Sequence, residues 1–189
     1  MWKRYEQNLV PVRLCSKLQG MIIVCPYHAV ERLATEHRAG RVIGLLGPEF
    51  DHPVVRGLPQ ERHLRLTFND ISEPMDGMIL PQRHHVERII DFIEDWDFSE
   101  PMIVHCWAGI SRSTATAFTA MCLINPQEDE ADLAREMRAI SPSATPNRLI
   151  VAHADAILGR KGRMVKAVAA IGRGDFAYEG NIFQWPVKR

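Results

Sequence analysis

The stretch from Arg112 to Ile124 reads Arg-Ser-Thr-Ala-Thr-Ala-Phe-Thr-Ala-Met-Cys-Leu-Ile. It is small or apolar on nearly every face. A helix of that kind has no solvent side, so it must be enclosed by other elements. The run Met102-Ile103-Val104-His105 just before it has the character of a buried strand. A buried strand feeding a buried helix implies a layered α/β architecture, and the rest of the chain agrees. Met21–Val24, Arg41–Leu46 and His63–Phe68 read as strands, the last with polar and apolar residues in alternation. Helical spacing predicts helices over Ala29–His37, Pro81–Trp96, Asp129–Ile140 and Asn147–Leu158, with Pro81 suited to a first turn. The alternation predicts a central, mostly parallel sheet of about four or five strands flanked by helices. One domain is expected over 21–158, after an N-terminal extension (1–20). A basic helix and a tail with scattered aromatics follow over 159–189.

Composition narrows the function classes. The chain has 189 residues, and 23 Lys+Arg balance 23 Asp+Glu. A nucleic-acid binder is expected to be basic, so nucleic acid is not the expected partner. No apolar run approaches the twenty residues of a membrane span, and residues 1–20 lack a signal-peptide core. The expectation is a cytoplasmic protein. Cys15, Cys25, Cys106 and Cys122 show neither a disulfide framework nor zinc-type spacing, and reduced, mostly buried thiols are expected.

Between the strand at 102–105 and the buried helix lies His105-Cys106-Trp107-Ala108-Gly109-Ile110-Ser111-Arg112-Ser113. The dipole and free N–H groups of a helix N-terminus favour a thiolate at Cys106. The five residues before Arg112 can wrap as a nest of N–H groups around an oxyanion. Gly109 permits a backbone angle that a side chain would forbid. Arg112 offers a planar fork for two phosphate oxygens. A nucleophile under an anion cradle suits phosphoryl transfer to sulfur.

This H-C-x-A-G-x-S-R-S segment resembles the signature loop of the protein tyrosine phosphatase superfamily, most nearly its dual-specificity branch. The order of elements over about 21–158 is similar to that family's catalytic domain. The resemblance implies that Cys106 attacks phosphorus to form a phosphocysteine. Arg112 and the amides of Trp107, Ala108, Gly109, Ile110 and Ser111 would bind the phosphoryl oxygens, so phosphate or sulfate should occupy the loop. Ser113 would help expel the thiolate, and His105 would support it through hydrogen bonding within the loop. An Asp from a separate loop would act as general acid. Asp70, at the end of the third strand, is preferred over Asp76. Either could instead be an ordinary Asx-turn cap. Asn147 resembles a residue that supports the loop, and could equally be a plain helix N-cap.

Other features carry less. Cys25 could be a redox partner for Cys106 or a buried structural thiol. Adjacent His84 and His85 point about 100° apart on a helix and make a poor chelate, so no metal site and no cofactor are expected. Arg160, Lys161, Arg163, Lys166 and Arg173 read as a solvated face with Met164, Val165, Val168 and Ile171 inward, or as a surface for an acidic partner.

The variable loop positions Trp107, Ala108, Ile110 and Ser111 are uncharged. That disfavours a polyphosphorylated lipid and points to phosphotyrosine, with phosphoserine and phosphothreonine admitted by a shallow cleft. The competing readings are a phosphate-recognising binding module without turnover, and a phosphatase acting on a small-molecule or lipid phosphate. A rhodanese-like sulfur carrier has no need of the Arg112-Ser113 pair. The phosphatase-like arsenate reductases keep their Cys near the N-terminus.

Overall fold

A computed structural model describes residues 20–187 of the chain. Cys15 and residues 1–19 of the expected extension lie outside the described residues. Five strands form one sheet in the order β3-β2-β4-β1-β5: β1 Met21–Pro26, β2 Arg41–Leu46, β3 His63–Thr67, β4 Met102–Cys106 and β5 Phe183–Pro186. The first four are mutually parallel and β5 runs antiparallel to β1. The helices are α1 Val30–Glu36, α2 Arg83–Glu94, α3 Arg112–Ile124, α4 Glu130–Ile140, α5 Arg148–Ile157 and α6 Arg163–Ile171. No helix among the described residues is long and apolar enough to cross a membrane.

The central strand β4 is buried throughout and separates two apolar layers. Met102, Val104 and Cys106 join the large core formed with α2 to α6. Ile103 joins the smaller core under α1, with Ile23, Cys25 and Val42. This follows from the two-residue period of a strand. Helix α3 lies in the large core with Arg112 to Cys122 all buried, as its composition requires. Its two ends fall where the sequence predicts them.

Three differences have physical causes. Helix α2 starts at Arg83 rather than Pro81. Gln82 takes extended backbone as its N-cap, and its N–H donates to His85 Nδ1 at 3.1 Å. Strand β5 forms where a tail was expected. Phe183 and Trp185 are buried while Gln184 and Pro186 are exposed, and at a sheet edge a terminal proline is tolerated. The basic helix α6 buries Met164, Ala167 and Val168, but Val165 is 41% exposed rather than inward. Packing therefore continues past residue 158.

Candidate active site

The parallel strands end together, and β4 delivers Cys106 to that edge of the sheet. The segment 107–111 turns back over it before α3 begins. Four of its carbonyls are held from outside. Trp107 O accepts from Tyr27 N at 3.0 Å, Ala108 O from Gly180 N at 2.8 Å, Ile110 O from Thr145 N at 2.9 Å and Ser111 O from Asn147 N at 3.2 Å. A trans peptide directs its N–H opposite its C=O. Carbonyls tied outward therefore turn the following amides inward. The Gly109 N–H shows the result by donating to Cys106 Sγ at 3.2 Å. Gly109 has φ +72°, and a Cβ there would lie 2.9 Å from backbone atoms of Cys25 and Pro26. Glycine is needed both for the angle and for the close approach.

Ser113 Oγ stands 3.2 Å from the sulfur. Arg112 is buried, and its Nη1 donates to the Phe68 carbonyl at 2.8 Å. Its Nε–H is a buried donor without a hydrogen-bond partner, 3.9 Å from Asp70 Oδ2. An unpartnered buried guanidinium donor beside a ring of inward amides suits an oxyanion.

Asp70 faces this edge. Its Oδ1 accepts from Ser111 Oγ at 2.7 Å and from Asn147 Nδ2 at 2.9 Å. Asp76 lies in an exposed turn with no such contact. Asn147 caps α5, its Oδ1 accepting from Leu149 N and Ile150 N; its backbone N–H donates to the Ser111 carbonyl of the loop, and its amide reaches Asp70 and the Ile71 carbonyl. A cavity of about 290 Å³ adjoins the loop, and Asp70, Ser111, Asn147, Arg148 and Arg173 line it. On the other side, Trp107 is 46% exposed and stacks on Phe50 at 4.0 Å and on Tyr27 at 5.5 Å.

His105 departs from expectation. Strand alternation turns its ring away from Cys106, toward His52 and His63, and neither ring nitrogen makes a hydrogen bond. Burial first, then His63, His52 and Arg112, push its pKa down to about 3. Cys25 lies in the smaller core, and burial pushes its thiol up to about 12, which suits a structural thiol and not a redox partner. In the basic run, Arg160 and Arg163 are not a free face: both pair with the buried Glu130, at 3.2 and 3.0 Å. Sequence reasoning missed Gly180, Phe50 and Tyr27. They lie far from the loop in the chain and carry no local motif.

The protein-tyrosine phosphatase family model matches residues 76–145, a span that holds Cys106, Arg112 and Ser113 but not Asp70. No curated protein sequence matches the chain. Among solved structures, DUSP15 superposes with a TM-score of 0.58 at 19% identity, covering 81% of this chain and 95% of that one. Human DUSP28 gives 0.56 at 16%, covering 79% and 94%. PTPMT1 in complex with PI(5)P gives 0.53 at 15%, covering 74% and 94%. Residues 76–145 thus match the protein-tyrosine phosphatase model, and most of the chain shares the fold of these solved phosphatase structures. Together they support a cysteine-based phosphatase.

Proposed function

We propose that the protein hydrolyses phosphotyrosine monoesters, and phosphoserine and phosphothreonine as well, through a phosphocysteine intermediate. The observation that carries this reading is the Gly109 N–H on Cys106 Sγ, which turns an amide of the loop onto the sulfur. In the first step Cys106 Sγ bonds to phosphorus as the P–O bond to the leaving group breaks. Asp70 gives its proton to the departing oxygen. In the second step Asp70 takes a proton from water as the water oxygen bonds to phosphorus and the P–S bond breaks. Ser113 Oγ–H can donate to the returning thiolate from 3.2 Å. Arg112 and the loop amides hold the equatorial oxygens, where charge is spread. The reading places the enzyme in the cytoplasm, consistent with Cys25, Cys106 and Cys122 being free thiols.

A second substrate class has one observation in its favour. Arg148 and Arg173 line the adjoining cavity and could take a second anionic group, as on a small-molecule or lipid phosphate. Measuring kcat/KM on phosphotyrosyl and phosphothreonyl peptides and on soluble inositol phosphates decides between them, with Cys106→Ser as blank. Preference for the peptides supports the first reading, and preference for inositol phosphates supports the second. Absence of turnover on all three leaves phosphate binding alone as the function.

A further inference from the structure

On the sheet face opposite Cys106, three histidines converge. His105 comes from the end of β4, His63 from the start of β3, and His52 from segment 47–62 between β2 and β3. One nitrogen from each ring lies within 4.8 Å of the other two. His105 and His63 are buried, and His52 is partly so. Both nitrogens of His105, both of His52 and Nε2 of His63 are buried without a hydrogen-bond partner. Five orphaned ring nitrogens in one place are costly unless something binds there.

The floor of the cluster is Gly44 of β2, paired in register with His105 on one side and Arg65 on the other. A Cβ at Gly44 would stand 2.7 Å from both His105 Nε2 and His52 Nδ1. The glycine thus keeps open the space that these two nitrogens face. We propose that His52, His63 and His105 bind a divalent transition metal of the zinc class, separate from the phosphatase chemistry, and so pin segment 47–62 to the sheet.

The donor set fixes the class. Three imidazoles without a carboxylate suit zinc and its neighbours, not calcium or magnesium. A tetrahedral zinc with bonds of about 2.0–2.1 Å sets ligand nitrogens about 3.3 Å apart. Closing from within 4.8 Å takes ring rotations and a small shift of the His52 segment. Three protein ligands leave the fourth position to water. Burial disfavours the charged form of all three rings. Arg65 opposes binding: its Nη2 lies 3.3 Å from His63 Nδ1 and must turn outward, which its exposure allows. Asp51, next to His52, favours the added charge. Phe50, two residues from His52, stacks on Trp107, so the metal also steadies one wall of the candidate active site.

The test uses the Cys106→Ser chain, which removes the reactive thiol as a competing zinc ligand. Chelator-stripped protein is titrated with Zn²⁺ by calorimetry and with Co²⁺ by visible absorption. One metal per chain is expected, with cobalt d–d bands, no thiolate-to-cobalt charge-transfer band, and a higher Tm with zinc. His52→Ala should weaken binding by more than the roughly 10–100-fold that outer-shell changes cost. Gly44→Ala, which leaves every ligand in place, should weaken it as well, and Arg65→Gln should tighten it. Failure of zinc to bind the Cys106→Ser chain overturns the proposal. So does binding that His52→Ala and Gly44→Ala leave unchanged.

Discussion

Asp70 and Asn147, 77 positions apart in the chain, meet at 2.9 Å, and the same asparagine caps α5 with its other side-chain atom. One residue thus joins the start of a helix to the candidate general acid. Asn147→Ala should lose the cap, about 1 kcal/mol, and lower Tm by about 2–4 °C for a chain of this size. Asn147→Asp keeps a good cap but sets a carboxylate against Asp70. It should cost less in Tm and more in kcat than Asn147→Ala. Thermal melts and steady-state rates on the pair check this, and full kcat in Asn147→Asp would refute the coupling.

Asp70→Asn should lower kcat by roughly 10²–10⁴, the usual worth of general acid–base catalysis. The basic limb of the pH–rate profile should flatten, since an amide has no proton to lose there. Asp76→Asn, on an exposed turn, should leave both unchanged. Reversal of the two phenotypes would move the acid to Asp76.

Much of this was legible because the signals were local. The bounds of α3, the burial of β4 and the turn of Gly109 each follow from residues that sit together. What was not legible depends on contacts between distant segments. Strand β5 is four residues long and ends in proline, so it has too little pattern to register. The direction of the His105 ring depends on where β4 ends and which face Cys106 takes. His52, His63 and His105 share no motif spacing, and only the pairing of β2 with both β3 and β4 brings them together. The basic run read as a surface because the buried Glu130 that gathers Arg160 and Arg163 stands about thirty residues earlier.

Cys106→Ser should abolish turnover but keep phosphate or vanadate binding, because the inward amides and Arg112 remain. Arg112→Lys should lose both. A lysine is a point charge on one nitrogen and lacks the planar fork that holds the Phe68 carbonyl from Nη1 and leaves Nε–H for the anion. Equilibrium binding by each variant separates the two roles. Turnover by Cys106→Ser would remove the sulfur from the mechanism.

Glu130 is a buried carboxylate held by two arginines. Glu130→Gln should cost about 3–5 kcal/mol, the range for breaking a buried pair. Replacing Glu130 and Arg160 together with apolar residues should cost less. Burial pushes the Glu130 carboxyl up, but hydrogen bonds and charge from Arg163 and Arg160 outweigh it, so the net shift is downward. A depressed carboxyl contributes stability above its ordinary value near 4.5 and loses it as pH falls. Denaturant melts at neutral and acid pH should show the penalty of Glu130→Gln shrinking toward acid. A constant penalty would place its origin in packing.

His85 gives the opposite kind of group a similar pH window. Its Nδ1 accepts the Gln82 N–H at the start of α2, and its ring lies 4.9 Å from Phe68, whose carbonyl holds Arg112. Burial first, then His84, Arg88 and His153, lower its pKa from 6.5 to about 4. The native chain therefore prefers the neutral ring, and protonation would remove the acceptor at the N-cap. Above about pH 6.5 neither state carries the proton and the contribution is complete. Between 6.5 and 4 the unfolded chain binds the proton first, and stability is lost as pH falls. His85→Gln has nothing to titrate there. Its Tm deficit against the parent should be largest at neutral pH and shrink on acidification to about pH 4.5. Parallel Tm curves for the two proteins over that range would show that the His85–Gln82 contact is not the group that titrates.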